Sequence, residues 1–261
     1  SKEKAELAAS FLEEVFTNNK GTDSSIQVKA DRIQERLLGF SGALEQRDFP
    51  RVSTDRVASV LKLKRKKSAP GEDRISYRVL GGLHRNALDQ LRRIFVASLR
   101  LGEVPACWKT ATVVLIPKGG KDPGRLANLR PISLINSMAK LLESIVKEEL
   151  QDHLEENRSF PATQFGFRAG LCATQQALHL AEAIAKAGRM RKAVALFDLE
   201  KAYDKVWRAG LLYKLVRQKV PPWCLRWLAN WLSGRTFRVT MGGEVSEYRQ
   251  ALEGLPQGSP L

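Results

Sequence analysis

The segment ALFDLEKAYDKVW, residues 195–207, carries the sharpest candidate for chemistry in this sequence of 261 residues. Asp198 follows the short apolar run 193–197, whose length and composition are typical of a buried strand. A carboxylate at the end of a buried strand is costly unless a metal ion or a partner group uses its charge. Asp198 is therefore a candidate metal ligand. Aspartate is also a common first residue of a helix, so a capping role stays open.

Tyr203 lies shortly after Asp198 and is the second candidate in this segment. If the chain turns directly after Asp198, the tyrosine ring can pack back toward the carboxylate and form the wall of a sugar-sized pocket. Ordinary core packing is the alternative. A hydrolase with Asp198 as nucleophile is a weaker hypothesis, because such phosphatases have a second Asp two residues later, where this chain has Glu200.

Two further segments combine glycine with polar or basic residues. Strand-like runs at 110–117 and 129–135 flank a Gly- and Lys-rich loop, which predicts a β-hairpin with a basic tip. Such a tip can fold over a triphosphate or can be an exposed polar loop. The turn GLPQGSP at 254–260 contains one long polar side chain, Gln257. The cations at the hairpin tip are Lys118, Lys121, Arg125 and Arg130.

The charge of the whole chain limits the classes of protein to which it can belong. The net charge is +15 and the pI is about 10.0, which favours nucleic acid or an anionic surface as partner. No apolar run is long enough to cross a membrane, and the N-terminus lacks the apolar core of a signal peptide. Three widely spaced cysteines disfavour a disulfide framework or a zinc site. These features predict an intracellular protein that is not secreted.

Hydrophobic periodicity predicts the elements that position these residues. The order of helices and strands favours an α+β fold over regular alternation of strand and helix. Tryptophans 223, 227 and 231 share one helix face, which predicts a core stripe, with base stacking as the alternative. Helices are predicted at 3–17, 55–64, 76–101, 137–156, 172–187, 205–219 and 222–233, and strands at 110–117, 129–135, 193–197, 235–241 and 245–252.

Five motifs in order give this chain a specific resemblance to a known family. They are KKSAPGEDRIS at 66–76, the stretch 104–143 that contains LIPKGGKDPGRLANLRPISL, FGFRAGLCATQQAL at 165–178, ALFDLEKAYDKVW at 195–207 and GLPQGSPL at 254–261. Together they resemble the reverse transcriptase domain of LINE-type (non-LTR, Jockey-like) retrotransposons. The resemblance implies a right-hand polymerase fold, with helical and hairpin fingers, the first part of a ferredoxin-like palm and no thumb. The implied regions are an N-terminal helical extension at 1–60, fingers with a basic lead-in at 61–190 and a partial palm at 191–261. The reverse transcriptase domain would cover about 98–261 and continue beyond the fragment.

The resemblance also implies roles for individual residues. Asp198 would be the first catalytic carboxylate and would bind two Mg²⁺ ions, or Mn²⁺, together with the main-chain carbonyl of Leu199. Tyr203 would be the steric gate that rejects a ribose 2′-hydroxyl. Arg168 would lie along the template. Contacts to the incoming nucleotide would come from Lys118 and Arg130 at the triphosphate, and from Pro256, Gln257 and Gly258 along the pocket.

One departure from the family limits the expected activity. The next family motif carries two adjacent aspartates, and no Asp-Asp pair occurs in this sequence, which stops at Leu261. We therefore expect a fragment of an RNA-directed DNA polymerase that is inactive alone. Its parent would use an RNA template, a DNA primer and deoxynucleoside triphosphates, in a nuclear or cytoplasmic ribonucleoprotein. A non-catalytic nucleic-acid-binding module, or a dead copy of the same fold, is the alternative.

Overall fold

The computed structural model describes residues 1–17, 24–40, 42–186 and 193–261. Within these ranges the chain combines α-helices with one mixed β-sheet. The helices are α1 (Lys2–Val15), α2 (Ser24–Leu38), α3 (Thr54–Lys62), α4 (Tyr77–Leu80), α5 (Arg85–Leu101), α6 (Ser137–Glu156), α7 (Ala173–Lys186), α8 (Arg208–Arg217) and α9 (Pro222–Leu232). The strands are β1 (Thr110–Pro117), β2 (Leu129–Leu134), β3 (Arg235–Met241), β4 (Glu244–Val245) and β5 (Arg249–Ala251).

The sheet joins the predicted hairpin to strands from the end of the chain. Strands β1 and β2 pair antiparallel, with Pro117 opposite Leu129, so the predicted hairpin is confirmed. Strand β1 also pairs with β3, but parallel, with Thr110 opposite Thr236. Strands β4 and β5 both pair antiparallel with β3. A main-chain hydrogen bond between Ser133 on β2 and Gln257 then holds the C-terminal turn against the hairpin.

Helix α6 and the tryptophan stripe of α9 form the centre of the larger core. Asn136 caps α6, because its side-chain oxygen accepts hydrogen bonds from the amides of Met138 and Ala139 at 2.9 and 3.4 Å. The apolar face of α6 packs into this core, as its periodicity predicts: Leu141, Leu142, Ile145 and Val146 are buried, and Met138, Leu150 and Leu154 are partly buried. Trp223, Trp227 and Trp231 are 7%, 1% and 2% exposed, so core packing is confirmed and base stacking is excluded for them.

A smaller core lies between α1 and the sheet. Phe16 packs edge-to-face on Phe237, with ring centroids 5.2 Å apart, and Val113 and Val239 complete the contact. The larger core contains side chains from all three predicted regions, among them Phe49, Phe95 and Trp227. The predicted domain boundaries near residues 60 and 190 stay predictions.

Several local predictions need correction. The stretch 76–101 is two helices, because Gly81 and Gly82 interrupt it and glycine is a poor helix former. His84 begins the second of these helices by accepting a hydrogen bond from the Asn86 amide. In place of one strand at 245–252, the chain forms two short strands, β4 and β5, separated by residues 246–248. Helix α2, which was not predicted, packs beside α8 and α9 and buries only Ala30.

The prediction of a buried strand at 193–197 is wrong. Residues 193–199 have no regular secondary structure, and Leu196 and Phe197 are 90% and 94% exposed. A strand needs a partner for its backbone N–H and C=O groups, and none of the strands in the described ranges lies beside this run. Helix α7 also has no buried residue. Among the described helices, none is both long and apolar enough to span a membrane.

Candidate nucleotide-binding site

The turn at 254–258 lies between two segments that are far from it in the sequence, residues 203–206 and strand β2. The amides of Gly254 and Leu255 donate to the carbonyls of Val206 and Tyr203, at 2.9 and 2.8 Å. On its other side, the Gln257 carbonyl accepts from the amide of Ser133 on β2, at 2.7 Å. The turn therefore fixes residues 203–206 against the basic hairpin by main-chain hydrogen bonds.

The two glycines of this turn are required by close contacts. A Cβ added to Gly254 would lie 2.4 Å from the carbonyl oxygen of Asp204, and one added to Gly258 would lie 2.4 Å from that of Ser133. Both glycines also have positive φ, 78° and 131° respectively. Residues with a side chain rarely adopt such values and would collide with backbone here.

A buried arginine holds the other end of the turn. Arg208, at the start of α8, is 4% exposed, and its amide donates to the Glu253 carboxylate at 2.7 Å. Burial lowers the pKa of Arg208 to about 10, and the nearby Glu253 carboxylate opposes this change. Arg208 was not predicted as a site residue, since nothing in its sequence neighbours distinguishes it from a surface arginine. Its guanidinium donates, over 2.7–3.2 Å, to the main-chain oxygens of Leu232, Ala251, Glu253 and Gly254.

A cleft of about 140 Å³ opens beside this turn and gathers three of the six predicted nucleotide contacts. Lys118 and Arg130 from the hairpin and Gln257 from the turn all line it. Lys118 directs one N–H of its ammonium group to the carbonyl of Ala127, at 2.9 Å. In the described part of the chain, neither Lys118 nor Arg130 forms an ion pair with a carboxylate. The cleft can therefore attract an anion. We name it the phosphate cleft.

Asp204 is the acidic residue of the phosphate cleft and was not predicted as part of a site. It is 4% exposed, and the side-chain amide of Gln257 donates to its Oδ1 at 2.8 Å. Burial raises the pKa of the Asp204 carboxyl, whereas the Gln257 hydrogen bond and the charges of Lys201 and Lys118 lower it. Asp204 thus orients the Gln257 amide.

The remaining predicted nucleotide contacts lie outside the phosphate cleft. Tyr203 is 42% exposed and lines a separate, largely apolar cavity of about 690 Å³ together with Phe167 and Leu255. Pro256 lines a smaller cavity next to Arg208. Gly258 packs on β2 through its contact with Ser133. The structure thus separates Tyr203 from the cations that were predicted to share its ligand.

Asp198 and Leu199 are exposed on the irregular segment 193–199. No group of three or more His, Cys, Asp or Glu side chains within the described ranges could hold a metal ion. The residues present do not fit a two-metal site, which needs several oxygen ligands around ions about 4 Å apart. The metal-binding roles of Asp198 and Leu199 remain predictions.

Arg168 is engaged within its own loop. Its Nε and Nη2 donate to the two carboxylate oxygens of Glu155, at 2.8 and 2.6 Å, and this interaction lowers the pKa of Glu155. Its Nη1 donates to the carbonyls of Pro161 and Gln164, at 3.4 and 3.2 Å. The guanidinium also lies over the ring of Phe160. These bonds fix the loop after α6, and contact with a template stays a prediction.

Comparison with known proteins places this arrangement in a family. The family model described as reverse transcriptase (RNA-dependent DNA polymerase) matches residues 116–261, which is more than half of the chain. The chain belongs to the reverse transcriptase family. The match begins at Ile116, near the end of β1, and therefore covers all the polar residues of the phosphate cleft.

Three of the curated relatives are named as RNA-directed DNA polymerases of mobile elements. The chain is 32% identical over 264 residues to the RNA-directed DNA polymerase from mobile element jockey of Drosophila melanogaster, and 32% identical over 262 residues to the probable RNA-directed DNA polymerase from transposon X-element of the same species. The jockey protein of Drosophila funebris is also 32% identical. These alignments cover 98–100% of this chain but only 28% of each relative.

Proposed function

We propose that the chain forms the fingers and the first part of the palm of an RNA-directed DNA polymerase from a non-LTR retrotransposon, in a right-hand polymerase fold. The observation that carries the proposal is the phosphate cleft. Gln257 is far in sequence from Lys118 and Arg130, and the resemblance assigns all three to the incoming nucleotide. They line one cleft because β2 holds the turn by the Ser133–Gln257 hydrogen bond.

The chemistry of these side chains suits a triphosphate. Lys118 offers a compact charge and Arg130 a planar pair of donors, which together can neutralise and orient phosphate oxygens. Gln257, held by Asp204, offers polar atoms at a fixed position. Nucleotidyl transfer depends mainly on such positioning and on charge neutralisation. In the longer protein, Asp198 and the Leu199 carbonyl would be ligands of Mg²⁺, or Mn²⁺, which would supply the remaining charge stabilisation.

The proposed substrates and partners are deoxynucleoside triphosphates, an RNA template and a DNA primer. Basic residues at 62–67 and at the hairpin tip lie in the described part of the chain and can contact phosphates. The basic segment 186–192, which the sequence also suggests for this role, lies outside the described residues apart from Lys186. Arg168 would follow the template, and Tyr203 would exclude a 2′-hydroxyl from the sugar.

The test is triphosphate binding by the chain itself. We expect Lys118→Gln combined with Arg130→Gln to weaken the binding of a fluorescent deoxynucleoside triphosphate at least tenfold. Lys121→Gln combined with Arg125→Gln is the matched control, since it removes the same charge from the same hairpin but outside the cleft. Equal losses in the two double variants would contradict the proposal. RNA binding without any triphosphate binding would support a non-catalytic nucleic-acid-binding module instead.

A second measurement addresses catalysis. We expect the chain alone to incorporate no deoxynucleotide on an RNA template with a DNA primer and Mg²⁺, because it contains no Asp-Asp pair. A longer protein that restores the pair should be active, and Asp198→Asn should abolish that activity. Incorporation by the 261-residue chain that is lost in Asp198→Ala would show that this chain holds a complete site.

A further inference from the structure

Lys201 is a residue of the phosphate cleft to which neither the sequence motifs nor the comparisons give a role. It lines the cleft together with Lys118 and Arg130. Its backbone has φ 54°, a left-handed conformation that is uncommon for a residue with a side chain. Its ammonium nitrogen lies 4.9 Å from the centroid of the Phe11 ring on α1. The Phe11 ring thus makes a cation–π contact with the Lys201 ammonium group at the wall of the cleft.

The charges around the cleft are unbalanced. Asp204 is the acidic member among the described residues that line it, whereas Lys118, Arg130 and Lys201 are cationic. The charges of Lys201 and Lys118 both act on the Asp204 carboxylate. One carboxylate cannot neutralise three cations. An anion with several negative charges would therefore complete the site.

We propose that Lys201 is a third phosphate-binding cation of the cleft, and that it contacts the triphosphate of the incoming nucleotide together with Lys118 and Arg130. This inference rests on the proposed function. It also gives α1 a role, because Phe11 positions the ammonium group. The N-terminal helix is then part of the nucleotide site as well as a cover for the sheet.

Binding of inorganic tripolyphosphate to the 261-residue chain, without divalent metal and at low ionic strength, tests the inference. Calorimetry should show about tenfold weaker binding in Lys201→Gln, because one charge contact of about 1.4 kcal/mol corresponds to that factor. Lys201→Arg keeps the charge and should bind within about threefold of the unmodified chain. Lys205→Gln is the matched control, since Lys205 is exposed on the same segment but does not line the cleft, and it should leave binding unchanged.

The outcomes separate this inference from the proposed function. Tripolyphosphate binding that is lost in Lys118→Gln but unchanged in Lys201→Gln overturns the role of Lys201 and leaves the proposed function intact. Equal losses in Lys201→Gln and Lys201→Arg also overturn the role of Lys201, because charge would then not be what matters. No binding by the unmodified chain overturns both.

Discussion

Residues 193–199 and residues 203–208 are close in sequence, but the first segment is exposed to solvent and the second contains buried charged residues. The first segment is mostly apolar and is exposed, with Phe197 at 94%. The second contains charged residues, yet Asp204 and Arg208 are each only 4% exposed. Apolar side chains ordinarily lie inside a protein and charged ones outside, so the two segments reverse the usual pattern.

The reason for the reversal is the presence or absence of a partner from elsewhere in the chain. The turn at 254–258 supplies the Gly254 carbonyl to Arg208 and the Gln257 side-chain amide to Asp204, so both charges are buried with hydrogen bonds. No strand within the described ranges supplies the same for 193–199. Burial in this region therefore depends on long-range hydrogen bonding more than on local hydrophobicity.

The largest expected effect comes from removing Arg208. Arg208→Met should lower the free energy of unfolding by about 3–5 kcal/mol, because it leaves the main-chain carbonyls of Leu232, Ala251, Glu253 and Gly254 without their guanidinium donor. Urea denaturation measures the change. Arg125→Met, at an arginine side chain that is 81% exposed, should change stability by less than about 0.5 kcal/mol. Similar losses in the two variants would mean that the turn does not depend on Arg208.

A methyl group on the turn should have the next largest effect. Gly258→Ala should cost about 2–3 kcal/mol, since the new Cβ meets the Ser133 carbonyl oxygen at 2.4 Å and the backbone φ is 131°. Gly119→Ala is the control on the hairpin loop, where an added Cβ has no neighbour within 4 Å. Thermal unfolding of both variants should show a clear loss only for Gly258→Ala, and a neutral Gly258→Ala would contradict the close packing of the turn on β2.

A smaller, pH-dependent difference should come from Asp204. Burial raises the pKa of this carboxyl in the folded state above its ordinary value of 3.8, so folding favours the protonated form. That contribution to stability is present below pH 3.8 and is lost as the pH rises through the folded-state pKa. Relative to Asp204→Asn, the unmodified chain should therefore lose stability as the pH rises through this window. Unfolding curves at several pH values measure this difference in stability. If the stability of the unmodified chain instead rose with pH relative to Asp204→Asn, the pKa of Asp204 would not be raised by burial.

The smallest effect is expected in the exposed segment. Phe197→Ser should change stability by less than about 0.5 kcal/mol, because the ring buries almost no surface. Phe237→Ser, at a phenylalanine that is 2% exposed, should cost about 3–5 kcal/mol. Hydrogen exchange adds a second measure: the amides of 194–199 should exchange much faster than those of Gly254 and Leu255. Protection at 194–199 would mean that this segment is covered in solution.

The sequence by itself determined the elements whose residues follow a clear local period. The hairpin of β1 and β2, the buried face of α6 and the tryptophan stripe of α9 all agree with the predictions. Their side chains repeat at the period of a strand or a helix, and that period fixes which face can be buried. The motifs also singled out Lys118, Arg130 and Gln257, which line one cleft in the folded chain, and their roles at a nucleotide stay predictions.

Tertiary structure decided which segments gained partners. The apolar run 193–197 satisfies the local rules for a strand, but strand formation needs a neighbouring backbone that local sequence cannot reveal. Helix α2 has a single buried residue, Ala30, so its pattern gave little signal. The burial of Asp204 and Arg208 likewise depends on a turn about fifty residues further along the chain. Hydrogen bonds of Arg208 to distant main-chain carbonyls and of Asp204 to the Gln257 side-chain amide offset the cost of desolvating these charges, and only the folded chain brings those groups close.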